Sequence, residues 1–129
     1  MKILVDTNIL ISALLYPNSV PSQALLRIAG SHELILSDYN IAELRRVARD
    51  KFEKKQPDID VLLASLPYTL ISAPLSPQKL ISDPKDAPIL NAAIIEDVDI
   101  IISGDKHFRA LELERPKVLT AAQFMELTN

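Results

Sequence analysis

Short apolar runs rich in β-branched residues alternate along the chain with longer segments in which apolar residues recur every three to four positions. Short β-branched runs bounded by turn residues are typical of strands, and the longer recurrence is that of an amphipathic helix. The predicted strands cover residues 3–5, 33–36, 69–72, 99–102 and 117–119. The predicted helices cover residues 9–15, 21–29, 41–52, 59–66, 87–96 and 121–127.

This alternation predicts an α/β fold in which helices cover both faces of a mostly parallel sheet. We therefore expect a three-layer α/β/α sandwich with a central sheet of about five strands. The runs 3–5 and 99–102 lack polar alternation, which is typical of strands buried on both faces, so they should be neighbours in the middle of the sheet. With 129 residues and no internal repeat, the chain is predicted to form one domain over residues 1–129.

Composition narrows the chemistry that the chain can perform. It contains no cysteine, which excludes disulfides, thiolate zinc sites, iron–sulfur clusters and a cysteine nucleophile. Any metal must be held by oxygen atoms, or by His32 or His107. Two glycines are too few for a glycine-rich phosphate loop, and residues 69–72 lack the aspartate that a response-regulator receiver needs on that strand. The formal charge of −3 also argues against binding nucleic acid by charge alone.

The start of the chain carries no targeting pattern. The apolar run that follows Lys2 is cut by Asp6 after three residues, which is too short for a signal peptide or a membrane span. We therefore expect a cytoplasmic protein that does not associate with a membrane.

Two acids follow the two predicted central strands. Ligands of parallel α/β sheets bind outside the carboxyl ends of the strands, and Asp6 and Asp105 stand at two such ends. If the two strands are neighbours, these carboxylates should lie side by side. Either residue could instead serve only as the N-cap of the helix that follows it, a position that aspartate favours.

Two further acids stand on predicted helices. Glu43 falls on the border of an apolar stripe beside Val47, where it could face a cleft or form a surface pair with Arg46. Asp86 opens a helix and lies over the middle of its apolar stripe, so it should face the sheet and could also cap the helix. Asp83, three residues earlier, is typical of a turn. Four carboxylates brought together would raise one another's pKa unless a cation neutralised them, and their oxygens favour Mg²⁺ or Mn²⁺.

The order and spacing of these acids resemble the PIN domain family, and within it the VapC-like toxins of bacterial and archaeal toxin–antitoxin systems. The resemblance extends from Lys2 to about Met125. Four stretches carry it: Leu4-Val5-Asp6-Thr7-Asn8, Ile41-Ala42-Glu43-Leu44, Asp83-Pro84-Lys85-Asp86-Ala87-Pro88-Ile89-Leu90, and Ile101-Ile102-Ser103-Gly104-Asp105-Lys106-His107-Phe108.

The resemblance implies that four acids bind divalent metal and carry catalysis, with two polar residues in support. The acids are Asp6, Glu43, Asp86 and Asp105, and the supporting residues are Asn8 and Ser103. It also implies an endoribonuclease that forms a homodimer and has a cognate antitoxin protein covering the site. In one departure, many relatives carry an acid where this chain has His107. His107 could bind Mn²⁺, but we expect it to be a structural or solvated residue at the start of a helix.

These residues lead to a hypothesis for the reaction. Metal ions held by the acids would activate a water to attack the scissile phosphate, leaving a 5′-phosphate and a 3′-hydroxyl. Two bound Mg²⁺ ions would also turn the formal charge positive. Arg45, Arg46 and Arg49 could guide RNA or could form only a solvated helix face. The alternative is a PIN-like binding or regulatory module without catalysis, in which the acids make only local structural contacts.

Overall fold

The computed structural model describes residues 1–129 as five strands and seven helices, with one short 3₁₀ turn at Glu53–Lys55. The strands are β1 (Lys2–Val5), β2 (Glu33–Ser37), β3 (Tyr68–Ile71), β4 (Ile100–Ile102) and β5 (Lys117–Leu119). The helices are α1 (Thr7–Leu15), α2 (Val20–Ser31), α3 (Asp38–Lys51), α4 (Gln56–Ser65), α5 (Ala87–Ile95), α6 (Lys106–Arg109) and α7 (Ala121–Leu127).

All five strands are parallel and form one sheet in the order β3-β2-β1-β4-β5. The prediction that the first and fourth strands are central neighbours is therefore confirmed, with Leu4 opposite Ile101. The chain moves outward from β1 to β3 and then returns to β4 on the other side of β1. The strand order thus reverses between β1 and β4, and a crevice opens at the carboxyl ends of strands at such a point.

Helices cover both faces of the sheet, as the lack of polar alternation in the central strands predicts. Successive side chains of a strand point to opposite faces. Ile3 and Val5 pack with α1, α2, α3, α4 and α7 in one buried cluster. Leu4 and Ile101 pack with α5 and with Phe108 of α6 in the other. The predicted three-layer α/β/α sandwich is confirmed.

The main differences from the predicted elements lie at helix starts. α1 begins at Thr7 and α3 at Asp38, two and three residues before the predicted helices. Their first turns lack the apolar residues whose spacing predicts a helix, but each helix has an N-cap whose side chain accepts a backbone hydrogen bond. The Ser37 hydroxyl accepts from the Asn40 backbone N–H, and the Asn40 side chain accepts from the Ser37 backbone N–H. This capping box starts the helix where periodicity gives no signal.

No single helix is long and apolar enough to cross a membrane, and the one helix pair that passes on length and composition, Thr7–Leu15 with Val20–Ser31, is bent by 110°.

Candidate metal centre

The four predicted acids line one cavity of about 230 Å³ at the carboxyl ends of β1 and β4. Asp6 follows β1, Glu43 lies on α3, Asp86 precedes α5 and Asp105 precedes α6. Asn8, on the first turn of α1, lines the same cavity and is exposed to solvent. Residues from four separate segments of the chain therefore converge on one small polar space.

Asp6 is 4% exposed and is held by two hydrogen bonds. Its Oδ1 accepts from the Ile9 backbone N–H at 3.2 Å, which caps α1, and its Oδ2 accepts from the Ser103 hydroxyl. The Ser103 oxygen in turn accepts from the Asp105 backbone N–H at 3.0 Å. Asp6 thus both caps a helix and lines the cavity, and the predicted supporting residue Ser103 links the ends of the two central strands.

The pKa of Asp6 is raised to about 6: burial is the largest cause and the nearby Asp105 carboxylate adds to it, whereas the hydrogen bond from Ser103 opposes the rise. The charged form of Asp6 is therefore costly in this position without a counter-charge, because a buried carboxylate loses its hydration. A bound cation would supply that counter-charge.

Asp86 differs from Asp6 because its side chain makes no capping hydrogen bond. Its side chain is 14% exposed, and its Oδ2 is buried without any hydrogen-bond partner. The pKa of Asp86 is raised to about 7, first by burial and then by repulsion from Asp105, Asp83 and Asp6, while His107 opposes the rise. Buried polar atoms are normally paired, so this oxygen lacks a partner that a cation in the cavity would provide.

Asp83 lines the same cavity, whereas the sequence suggested only a turn residue. The turn is present, since the Asp83 side chain accepts from the Lys85 backbone N–H at 3.0 Å and its carbonyl accepts from the Asp86 backbone N–H at 3.0 Å. The same turn places the Asp83 carboxylate beside that of Asp86. Two acids three residues apart across a tight turn are the sequence signal that would have identified Asp83.

The irregular segment 72–86 is fixed by specific contacts that position Asp83 and Asp86. The Asn91 side chain accepts from the Gln78 backbone N–H at 3.0 Å and donates to the Gln78 carbonyl at 2.9 Å. Ile81 is buried against the core on the α5 side of the sheet. This long connection is therefore anchored at its middle, and the two acids lie at its end.

Asp105 caps α6 by accepting from the His107 backbone N–H at 2.7 Å. The His107 ring is 32% exposed, and its Nδ1 lies 2.9 Å from Asp105 Oδ1. His107 is thus not simply a solvated residue at a helix start. Ligand atoms of Asp83, Asp86, Asp105 and His107 all lie within 4.8 Å of one another. The three aspartates of this group line the acidic cavity, but His107 does not. Asp6 and Glu43 line the cavity without being part of the group.

Glu43 combines the two alternatives that its sequence position left open. Its carboxylate lies 3.5 Å from the Arg46 guanidinium, as in a surface pair, but it is only 15% exposed. Both residues line the acidic cavity. The ion pair therefore lies in the wall of the site, and it leaves Arg46 half-exposed at the rim.

Arg45 and Arg49, the other two arginines predicted as possible RNA contacts, lie outside the acidic cavity. Arg45 pairs with Asp60 of α4 at 3.0 Å, and Arg49 pairs with its neighbour Asp50 at 3.2 Å. Neither lines the acidic cavity, so the solvated helix face describes them better. Lys85, which the sequence argument did not select, does line the cavity.

The donor set fits a hard divalent cation. Carboxylate oxygens are the ligands that Mg²⁺ and Mn²⁺ prefer, and no thiolate competes. The unpaired Asp86 oxygen and the raised pKa values of Asp6 and Asp86, which burial causes first of all, mark carboxylates whose charged form a cation would stabilise.

Residues 2–107 match the sequence model of the PIN domain. The chain belongs to the PIN domain family. The matched range includes all four predicted acids of this PIN domain, and the resemblance drawn from the four short motifs is confirmed at the level of the family. No curated protein sequence is significantly similar to the chain.

Two solved structures share this fold at low sequence identity. One is VapBC2 from Rickettsia felis bound to a DNA fragment from its promoter, with 20% identity, a TM-score of 0.72, and coverage of 93% of this chain and 98% of that chain. The other is Mycobacterium tuberculosis VapC20, a sarcin–ricin loop cleaving toxin, with 12% identity, a TM-score of 0.62, and coverage of 87% and 97%. These matches confirm the PIN-like fold.

Proposed function

We propose that residues 1–129 act as a single-domain, divalent-metal-dependent endoribonuclease that hydrolyses RNA phosphodiester bonds. The carrying observation is the convergence of carboxylates from four chain segments on one cavity, with a buried, unpaired oxygen on Asp86. Membership of a nuclease family supports the same function. The proposed catalytic and metal-binding residues are Asp6, Glu43, Asp86 and Asp105, with Asn8 and Ser103 in support and Mg²⁺ or Mn²⁺ as cofactor.

The protein's own groups divide the work around the cavity. The four acids would hold a divalent cation, which would supply a water of lowered pKa and neutralise charge on the phosphate. Ser103 and the start of α1 fix the Asp6 carboxylate, so its charge is oriented before substrate arrives. Glu43 holds Arg46 at the rim, where Arg46 and Lys85 can bind phosphate oxygens by charge. Attack by water on phosphorus would break the P–O3′ bond, and protonation of the leaving oxygen would give a 3′-hydroxyl beside a 5′-phosphate.

We further propose that this ribonuclease is the toxin of a type II toxin–antitoxin pair and works in the cytoplasm. The likeness to VapC20, itself a cleaving toxin, and to VapBC2 supports this role. A cognate antitoxin protein would then be its partner, and the toxin itself would form a homodimer.

The nuclease is tested by incubating purified protein with mixed-sequence single-stranded RNA in Mg²⁺, Mn²⁺ or EDTA, beside DNA of the same sequence. We expect RNA cleavage with either ion, none with EDTA, and products with 5′-phosphates. A 2′,3′-cyclic phosphate would contradict hydrolysis by water. If no cleavage occurs with either ion after any co-purified antitoxin is removed, the chain is instead a PIN-like binding or regulatory module.

Arg46 should contribute more to RNA binding than Arg49. We expect Arg46→Gln to weaken binding of single-stranded RNA and to reduce the slope of log affinity against log salt by about 0.7, the value for one lost phosphate contact. Arg49→Gln is the matched control, because Arg49 lies on the same helix but does not line the cavity. Fluorescence anisotropy over a salt series measures both. Equal losses in the two variants would assign the effect to general charge rather than to the site.

A further inference from the structure

The imidazole of His107 faces three carboxylates. Its Nδ1 lies 2.9 Å from Asp105 Oδ1, and 3.9 Å from both Asp83 Oδ2 and Asp86 Oδ2. Asp86 Oδ2 is the buried oxygen that has no hydrogen-bond partner. One imidazole nitrogen and three carboxylate oxygens of separate residues therefore surround one small volume.

The local fold holds the ring in this place. Asp105 accepts from the His107 backbone N–H and thereby fixes the first turn of α6. The next residue, Phe108, is fully buried against α5. Because the residues on both sides are fixed, the His107 side chain is held at the acidic cluster.

The distances between these four ligand atoms are compatible with their binding one ion. In an octahedral site with ligands about 2.1 Å from the ion, adjacent ligand atoms lie about 3 Å apart and opposite ones about 4.2 Å apart. The cluster spans 2.9 Å to less than 4.8 Å between ligand atoms, so a divalent cation fits among the four groups with small side-chain adjustments.

We propose that His107 Nδ1 is a metal ligand, together with Asp83, Asp86 and Asp105, and that this nitrogen makes the site prefer Mn²⁺ to Mg²⁺. The proposal rests on the proposed metal-dependent function of the same cavity. Mg²⁺ takes oxygen ligands and dehydrates reluctantly, whereas imidazole suits transition metals. A single nitrogen among carboxylates therefore favours Mn²⁺ without excluding Mg²⁺.

The test is a direct observation of the metal's ligands rather than of activity. Mn²⁺ is added to the purified full-length protein, and its electron spin-echo modulation is recorded for coupling to ¹⁴N. The chain has only two histidines. We expect nitrogen coupling in the wild type and in the control His32→Gln, because His32 lies next to β2 at its amino end, away from the carboxyl-end site. We expect no such coupling in His107→Gln.

Affinities measured by titration calorimetry give a second readout. We expect His107→Gln to weaken Mn²⁺ binding by about tenfold or more, since even groups behind the ligands change metal affinity by about 10- to 100-fold. Mg²⁺ binding should change much less. His107→Asp, which restores a hard oxygen donor, should shift the ratio of the two affinities toward Mg²⁺ by a similar factor. Circular dichroism checks that each variant is folded.

The outcomes separate this inference from the proposed function. Mn²⁺ bound without nitrogen coupling, or coupling that persists in His107→Gln, overturns the role of His107 and leaves the nuclease untouched. Nitrogen coupling in a protein that cleaves no RNA supports the His107 site and overturns the nuclease. If the wild type binds no Mn²⁺, or if Asp86→Asn leaves its Mn²⁺ binding unchanged, both proposals are overturned.

Discussion

We expect replacement of Asp6 with asparagine to lower the proposed metal-dependent RNA cleavage by about 10³-fold while the fold stays intact. The carboxylate is buried, lines the acidic cavity and is fixed by Ser103 and by the backbone of Ile9. Asparagine keeps the shape and the oxygen that caps α1 but loses the negative charge that would hold a cation. Charge stabilisation by a metal contributes several kcal/mol to such a reaction, and each 1.4 kcal/mol is about tenfold in rate.

The variant should not lose stability, because burial raises the pKa of Asp6 to about 6 and the substitution removes an unfavourable buried charge at neutral pH. Asp50→Asn is the matched control, since that carboxylate is exposed and pairs with Arg49 outside the cavity. Cleavage rates under excess Mg²⁺ and urea denaturation of the three proteins provide the comparison. Undiminished cleavage by a folded Asp6→Asn protein would remove Asp6 from the catalytic set.

The sequence predicts the sheet and two of the site's acids well because both depend on local pattern. Runs without polar alternation identify β1 and β4 as central, and an acid directly after each strand has little freedom of position. The common position of Asp6 and Asp105 at this edge of the sheet therefore follows from the strand order, whereas the sequence leaves open whether either residue serves only as an N-cap. Glu43 is harder, since a helical residue on the border of an apolar stripe can face a cleft or solvent, and only the packing of α3 decides this.

Asp83 shows where such prediction ends. The segment 72–86 has no helix or strand, so periodicity says nothing about where its side chains point. Its course is set by the pairing of Asn91 with Gln78 and by the burial of Ile81 in the core. These contacts join residues whose partnership no local pattern encodes. They hold the end of the segment, with Asp83 and Asp86, at the cavity. Asp83 adds negative charge to the four acids that the resemblance implies.

The surroundings of His107 depend on the same tertiary placement. In the sequence it is a polar residue in the first turn of a short helix, a position commonly exposed. In the structure its ring meets acids delivered by the 72–86 segment as well as Asp105 of its own turn. The chemistry of a helix start therefore depends here on a loop that precedes it by more than twenty residues, and local rules cannot supply that context.

Concentrating this many acids has a cost that should appear as pH-dependent stability of the metal-free protein. The pKa of Asp86 is raised to about 7 and that of Asp6 to about 6. Between about pH 4 and pH 7 the folded state therefore binds more protons than the unfolded state, so these groups lower the free energy of unfolding as the pH rises. Above pH 7 their full destabilising contribution is present. Chemical denaturation in EDTA across pH 4–8 measures the trend.

Asp86→Asn isolates this effect, and it should stabilise the metal-free protein at pH 8 while greatly reducing its stabilisation by metal. One pKa unit corresponds to about 1.4 kcal/mol, and because the cavity admits water we expect a gain of about 2 kcal/mol rather than the full value of the shift. The advantage should fade toward pH 4, where the wild-type carboxyl is protonated. Asp58→Asn is the control, because Asp58 is an exposed acid of α4 that lies near Lys55. This substitution should change the free energy of unfolding little.

Metal should reverse the order of stability of the wild type and Asp86→Asn. Mg²⁺ at about 100 times its dissociation constant should stabilise the wild type by about 2.7 kcal/mol, whereas Asp86→Asn should gain far less because it has lost a ligand. The wild type would then be destabilised by its acids without metal and stabilised through them with metal, as expected if the uncompensated charge exists to bind a cation. If metal-free Asp86→Asn is less stable than the wild type at pH 8, the Asp86 carboxylate is stabilised by the fold itself. The strongest physical reason to expect a metal in the cavity would then be gone.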